Sequence, residues 1–276
     1  MNTKRISNNA IEIIDQYMNF HIAVMVGATG NISAVTSACS IPYFNNRRTA
    51  TRAGLRAVTG KGSPRDIFDE VEIAAAREHV DVRTMTADAL KAFLVDHNIG
   101  IDCSGLVYYV LNAESIARGK GHLARHLAFP LCRGLIGKIR SWMRPVENTG
   151  VQTFVHEKNS VPIELTKIEP GDIITMTSGS TAGERDHILV VHQVEYQNSI
   201  PTTIHYTHAI AWPSDGEYGH GVRQGVIDIL NPQKPLTEQR WTEAGKTGGA
   251  GVPTTENYTF ARAAKSTTSV RRLRWL

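Results

Sequence analysis

The chain has 276 residues, of which 41% are hydrophobic, and this is enough to bury a full core. Its formal net charge of +4 at pH 7 is mildly basic, but no basic run is interleaved with aromatic residues, so we expect no nucleic-acid partner. The three cysteines, Cys39, Cys103 and Cys132, give neither a disulfide framework nor a Cys-x-x-Cys motif, and we expect no metal and no cofactor.

The first hundred residues favour helices. Apolar spacing predicts a helix over residues 7–26. Ser63-Pro64 is a good helix start, because serine caps and proline is tolerated at the first helical position. Thr86 opens another helix to about His97, which residues 98–100 end. We therefore expect an N-terminal helical extension over residues 1–100.

The amino terminus does not have the pattern of a secretory signal. Charged residues interrupt the segment 11–16, where an apolar core of roughly seven residues or more would be needed. The best apolar stretch, residues 21–29, is too short to span a bilayer. We therefore expect a protein that is cytoplasmic or exported by a non-standard route.

The tetrapeptide Asp102-Cys103-Ser104-Gly105 runs directly into the apolar stretch 106–111, which predicts a cysteine at the start of a helix. The first turn of a helix has unpaired N–H groups and a partial positive charge, so it favours a thiolate, with capping oxygens from Asp102 and Ser104. Such a position is typical of a nucleophile. A buried cysteine that only fills the core is the alternative.

A cysteine nucleophile needs a base, and the base needs a third group that orients it. Downstream of a Pro-Gly turn, one predicted strand begins at His187 and also carries His192, and the next carries His205 and His208. Side chains alternate along a strand, so only one histidine of the first pair can face Cys103. At most one of the second pair can reach His187.

In this order the motifs resemble the NlpC-type cell-wall cysteine peptidases, papain-like enzymes that cut peptide bonds of the peptidoglycan stem, commonly after γ-D-glutamate. The resemblance covers residues 101–230 and rests on Asp-Cys-Ser-Gly, then Pro-Gly-Asp before a strand, then the two histidine strands. It implies that Cys103 is the nucleophile, His187 the base and His208 the polar third residue. It also leads us to expect substrate contacts from three further residues, Ser104, Asp102 and Tyr43. Tyr43 lies farther upstream than the matching Pro-Tyr motif of the family.

Residues 115–160 form an insertion relative to compact members of that family. Its first part, 115–145, mixes basic and apolar residues in a pattern that suits a basic amphipathic helix or helical pair. The basic residues are Arg118, Lys120, Arg125, Arg133, Lys138, Arg140 and Arg144, and the apolar ones include Leu123, Leu127, Phe129, Leu131, Leu135, Ile136, Ile139 and Trp142. Three roles are open for this segment: it covers the cleft, it binds an anionic polymer or a membrane surface, or it is only the solvated face of a structural helix.

Helices followed by antiparallel strands indicate an α+β fold. We expect a papain-like, NlpC-type catalytic core over residues 101–235, and a partly mobile C-terminal extension over 236–276 whose last six residues form an edge strand or bind a partner.

The expected function is that of a cysteine hydrolase that cleaves an amide of a peptidoglycan stem peptide through a Cys-His-His triad and a thioester. One alternative is a papain-fold acyltransferase or amidase that acts on lipids or other amides. Another is a binding module that has kept the fold and lost the chemistry.

Overall fold

The computed structural model describes residues 2–26, 31–35, 38–44, 56–130, 132, 134–178, 186–252 and 256–276. The helices are α1 (Asn8–Met18), α2 (Pro64–Glu78), α3 (Ala87–Asp96), α4 (Cys103–Ala117), α5 (Gly134–Met143), α6 (Pro145–Asn148), α7 (Val151–Val155) and α8 (Tyr258–Lys265). The strands are β1 (Asn2–Arg5), β2 (Ala23–Val26), β3 (Asn31–Val35), β4 (Ser160–Pro162), β5 (Ile173–Thr177), β6 (His187–Gln197), β7 (Ile200–Ile210), β8 (Gly221–Asp228), β9 (Arg240–Glu243), β10 (Lys246–Gly249) and β11 (Thr267–Leu273).

Within the described residues, nine strands form one sheet in the order β10-β9-β8-β7-β6-β5-β11-β4, with β1 paired to β6 outside this path. The pairs with a resolved register are antiparallel. The mixed α+β class predicted from the element order is therefore confirmed.

The helix starts predicted from local chemistry are present. Ser63 caps α2 by accepting from the backbone N–H of Asp66, and the Asp66 carboxylate accepts from the Ser63 backbone N–H, which completes a capping box. Thr86 caps α3 by accepting from the Ala89 N–H. The helix predicted at Cys103 begins at that residue.

The chain divides into two compact units. The first comprises Met1–Ile11, Cys103–His208 and Arg223–Leu276, and the second comprises Glu12–Asp102 and Ala209–Val222. In the first unit, one face of the central strands packs into a core that includes Leu189, Val191, Tyr206 and Trp241, together with Ala263 of α8.

Three features of the fold differ from the sequence expectations. Residues 236–276 do not stand apart as an extension, since they supply β9, β10, α8 and β11 to the first unit. Strand β11 is not at an edge, because it pairs with β5 on one side and with β4 on the other. The second unit is not wholly helical, since β2 and β3 form a two-stranded sheet of their own.

The predicted insertion contains helices α5, α6 and α7. Two of the residues named for its amphipathic pattern, Leu131 and Arg133, lie outside the described residues. Among the described helices, none is long and apolar enough to cross a membrane.

Candidate active site

His187 and His208 meet on one face of the sheet. Strands β6 and β7 pair with Val191 opposite Tyr206, and alternation along each strand then puts His187 and His208 on the same face as this pair. Nε2 of His187 lies 2.8 Å from Nδ1 of His208, and both rings are fully buried. Of the two histidines of β7, only one of which could reach His187 by strand periodicity, it is therefore His208 that contacts His187.

The other two histidines lie on the opposite face. His192 Nδ1 is 3.0 Å from the Thr207 hydroxyl, and Thr207 pairs with Val190. His205 Nε2 lies 3.0 Å from a carboxylate oxygen of Glu195. Neither ring takes part in the contact between His187 and His208.

A buried carboxylate that the sequence analysis did not identify completes this group. Oε1 of Glu243 lies 3.1 Å from Nε2 of His208, and Oε2 accepts a 2.6 Å hydrogen bond from the Tyr206 hydroxyl. Glu243 is the last residue of β9 and is nearly fully buried. In the sequence, Glu243 follows Trp241 by two residues, so on a strand the two side chains share one face. An acid on the same face as a large aromatic side chain was the one pattern that could have indicated its burial.

Gly225 makes room for this arrangement. It lies opposite Glu243 in the pairing of β8 with β9. A Cβ at this position would clash with the Tyr206 phenol, so the absence of a side chain lets the phenol reach Glu243 across β8.

Burial and charge set the protonation of the group. Burial is the largest influence on His187, and with the charges of His208 and Arg262 it holds the pKa of this imidazole well below the usual 6.5. For the Glu243 carboxyl, burial is the largest single influence and by itself would raise the pKa. The charge of His208 and hydrogen bonds from His208, Tyr206 and Thr259 together outweigh burial, so the pKa of Glu243 is lower than usual. His187 is therefore neutral and Glu243 ionised at pH 7.

The contacts of the two rings bear on the tautomer of His187. When His208 carries a proton on Nε2, toward Glu243, and none on Nδ1, its Nδ1 accepts from the Nε2–H of His187. His187 then carries its own lone pair on Nδ1. That atom is buried and, within the described part of the chain, has no hydrogen-bond partner. A buried acceptor without a hydrogen bond lowers the stability of a fold. An imidazole nitrogen with a free lone pair is also what a general base requires.

Cys103 is the first residue of α4 and is buried. Helix α4 packs against β6, the strand that begins at His187. Ser104 is also buried, and its hydroxyl lies 3.4 Å from the backbone carbonyl of Thr149, to which it donates. This contact ties the first turn of α4 to the residue that follows α6.

Asp102 and Tyr43, the other expected substrate contacts, belong to the second unit. The Asp102 carboxylate forms an ion pair with Lys61 at 2.8 Å, and both side chains are largely shielded from solvent. The Asp102 backbone N–H donates to the Gly60 carbonyl. Tyr43 forms an isolated parallel bridge with Ile101, which precedes Asp102 in the chain. The substrate roles of these residues and of Ser104 stay predictions.

The remaining cysteines have different surroundings. Burial, opposed by the charge of Lys91, raises the pKa of Cys39 to about 11. Cys132 is partly exposed. Over the residues that the structure describes, no group of three or more His, Cys, Asp or Glu side chains is arranged to hold a metal ion.

Comparisons of the chain with protein-family models, with curated proteins and with solved structures find no match.

Proposed function

We propose that the chain is a cysteine hydrolase of amide bonds, with Cys103 as nucleophile and His187 as base. The observation that carries the proposal is the buried series His187, His208 and Glu243, in which Nδ1 of His187 has no hydrogen-bond partner among the described residues. Helix α4, which begins at Cys103, packs against the strand that begins at His187, and the mechanism requires this imidazole within reach of the sulfur.

In the first half of the reaction, the Cys103 thiol gives its proton to Nδ1 of His187 as the sulfur attacks the amide carbon. A carbon–sulfur bond forms, the carbon–nitrogen bond breaks, and the leaving amine takes the proton back from His187. In the second half, water attacks the thioester and gives one proton to His187, which returns it to the departing sulfur. The products are a carboxylic acid and an amine, and the thiol is regenerated.

The roles of the other two residues follow from their charges. When His187 accepts a proton, the new positive charge stays on its ring, where the hydrogen-bonded His208 and the Glu243 carboxylate beyond it stabilise the charge. Because the pKa of the resting His187 is low, the proton moves only as the sulfur attacks, and a standing thiolate–imidazolium pair is not needed.

The proposed substrate is a peptidoglycan stem peptide cut after γ-D-glutamate. Two observations support this class: the resemblance of the motifs around Cys103, His187 and His208 to the NlpC-type peptidases, and the net positive charge, which suits an acidic polymer.

The test is to incubate the purified protein with stem peptides and with a panel of lipids and lipid amides, and to identify products by mass spectrometry. We expect cleavage of a stem peptide, abolished by Cys103→Ala and retained in the matched variant Cys132→Ala. Turnover of lipids alone would contradict the substrate class and favour the acyltransferase or amidase alternative. Activity that survives Cys103→Ala would overturn the mechanism.

A further inference from the structure

Helix α5 exposes a large apolar surface. Five of its ten side chains are apolar and exposed, with relative exposures of 76% for Leu135, 83% for Ile136, 49% for Ile139, 83% for Trp142 and 65% for Met143. Isolated exposed apolar residues are ordinary, but five in one three-turn helix form a contiguous patch that needs an explanation.

The five side chains lie on one face. At 100° per residue, the spacing of positions 135, 136, 139, 142 and 143 places them within about a third of the helix circumference. The opposite face carries the small residues Gly137 and Ser141. Ser141 is buried, and a Cβ on Gly137 would come within 2.9 Å of the Cys132 backbone. The helix therefore turns its small residues inward and its apolar face outward, the reverse of an ordinary surface helix.

Basic side chains flank the apolar face on both sides. Lys138 and Arg140 are exposed and project to either side of it, and Arg144 follows the end of the helix. Helix α5 contains no acidic residue. An apolar stripe with Trp, Ile and Leu between cationic side chains is the pattern of helices that lie in the plane of a membrane interface.

We propose that α5 docks on the surface of a bilayer that contains anionic lipids, with Trp142 and Ile136 inserted among the acyl chains and Lys138 and Arg140 at the headgroups. A helix of ten residues spans about 15 Å, half of a bilayer core, so it lies along the interface. This proposal does not depend on the chemistry of Cys103.

A second copy of the chain is the competing occupant, and two observations disfavour it. A symmetric dimer through α5 would bring Lys138 and Arg140 of each copy toward those of the other, without acidic residues on the helix to compensate. A stable interface also buries roughly 800 Å² on each partner, more than one three-turn helix offers.

The experiment is co-sedimentation of the full chain with vesicles of phosphatidylcholine alone and of phosphatidylcholine with a quarter of phosphatidylglycerol. We expect binding to the anionic vesicles that weakens as salt is raised. The double variant Ile136→Ser/Trp142→Ser should bind at least tenfold more weakly. Lys138→Gln/Arg140→Gln should bind roughly 25-fold more weakly, about fivefold for each charge removed.

The matched control is Leu230→Ser, which removes an exposed apolar side chain outside α5 and should bind like the wild type. All the substituted side chains are exposed, and circular dichroism checks that each variant is folded. Brominated lipids should quench part of the tryptophan fluorescence, and this quenching should be lost in Ile136→Ser/Trp142→Ser, which lacks Trp142.

Three outcomes would overturn the proposal. One is equal binding of wild type and the two α5 double variants. Another is equally strong binding of a soluble polyanion such as polyglutamate, which would make the contact purely electrostatic. The third is a lipid-free dimer, measured by light scattering, that Ile136→Ser/Trp142→Ser converts to a monomer.

Discussion

Nε2 of His208 lies 3.1 Å from Oε1 of Glu243, while Nδ1 of the same ring lies 2.8 Å from Nε2 of His187. The imidazole of His208 thus joins the proposed base to a carboxylate inside the sheet, and all three side chains are buried. Because charges interact more strongly in a protein interior than in water, Glu243 can stabilise the positive charge that His187 gains on taking a proton.

Replacing this carboxylate by a neutral isostere should therefore slow the reaction. We expect Glu243→Gln to lower kcat about 10- to 100-fold and to move the acid limb of the pH profile to lower pH, since removal of the negative charge lowers the pKa of His187 further. A side chain with only a packing role would not move that limb.

The matched control for this variant is Glu195→Gln. Glu195 also contacts a histidine, His205, at 3.0 Å, but the pair lies on the other face of the sheet. It should leave both kcat and the acid limb unchanged. Equal effects of the two variants would remove Glu243 from the proposed mechanism.

The two histidines of β7 should differ in the same way. His208 contacts His187, whereas His205 contacts Glu195 on the opposite face. We expect His208→Ala to reduce kcat by about a hundredfold or more, because the orientation and tautomer of His187 are lost, and His205→Ala to change it little. The measurement is amide cleavage by the two single variants. An inactive His205→Ala enzyme together with an active His208→Ala enzyme would reverse the assignment.

Local periodicity predicted that only one histidine of β7 can face His187, and the resemblance to the NlpC-type peptidases implied that this residue is His208. Both residues lie in regular parts of neighbouring strands, before the register shift that follows Val191, so the two-residue alternation was reliable there. The start of α4 at Cys103 and the cap at Ser63 likewise depend on residues close together in the chain.

Glu243 could not be placed from sequence, because its contact with His208 reaches across β8 and depends on the order and register of β7, β8 and β9, which no local pattern specifies. The same limitation explains β11, whose position between β5 and β4 is set by packing and not by a local signal. The alternation of side chains along a strand shows which residues share a face of the sheet. The order of the strands determines which of those residues come into contact.

The three cysteines should react at different rates with iodoacetamide at neutral pH. Only a thiolate attacks, and the pKa of about 11 keeps Cys39 protonated. We expect Cys103 to be alkylated at least tenfold faster than Cys39 and Cys132, since a helix start and the proposed base His187 both favour loss of its proton. Peptide mapping after timed labelling measures the three rates, and His187→Ala should slow Cys103 alone. Equal alkylation of all three cysteines would contradict the assignment of the nucleophile.

The buried histidines also predict how stability changes with pH. Burial first, and then the charge of His205, lowers the pKa of His192 to about 4, so between about pH 6.5 and pH 4 the unfolded chain binds a proton that the folded chain does not. The stabilising contribution is complete above pH 6.5 and decreases as the pH falls. For His192 alone the loss of unfolding free energy between pH 7 and pH 5 should be about 2 kcal/mol.

Urea unfolding at these two pH values should show a smaller decrease in unfolding free energy for His192→Asn, whose side-chain oxygen can take the place of Nδ1 beside Thr207. The exposed control His122→Asn should keep the wild-type decrease, and a His192→Asn variant as sensitive to pH as the wild type would show that His192 does not titrate as its burial requires.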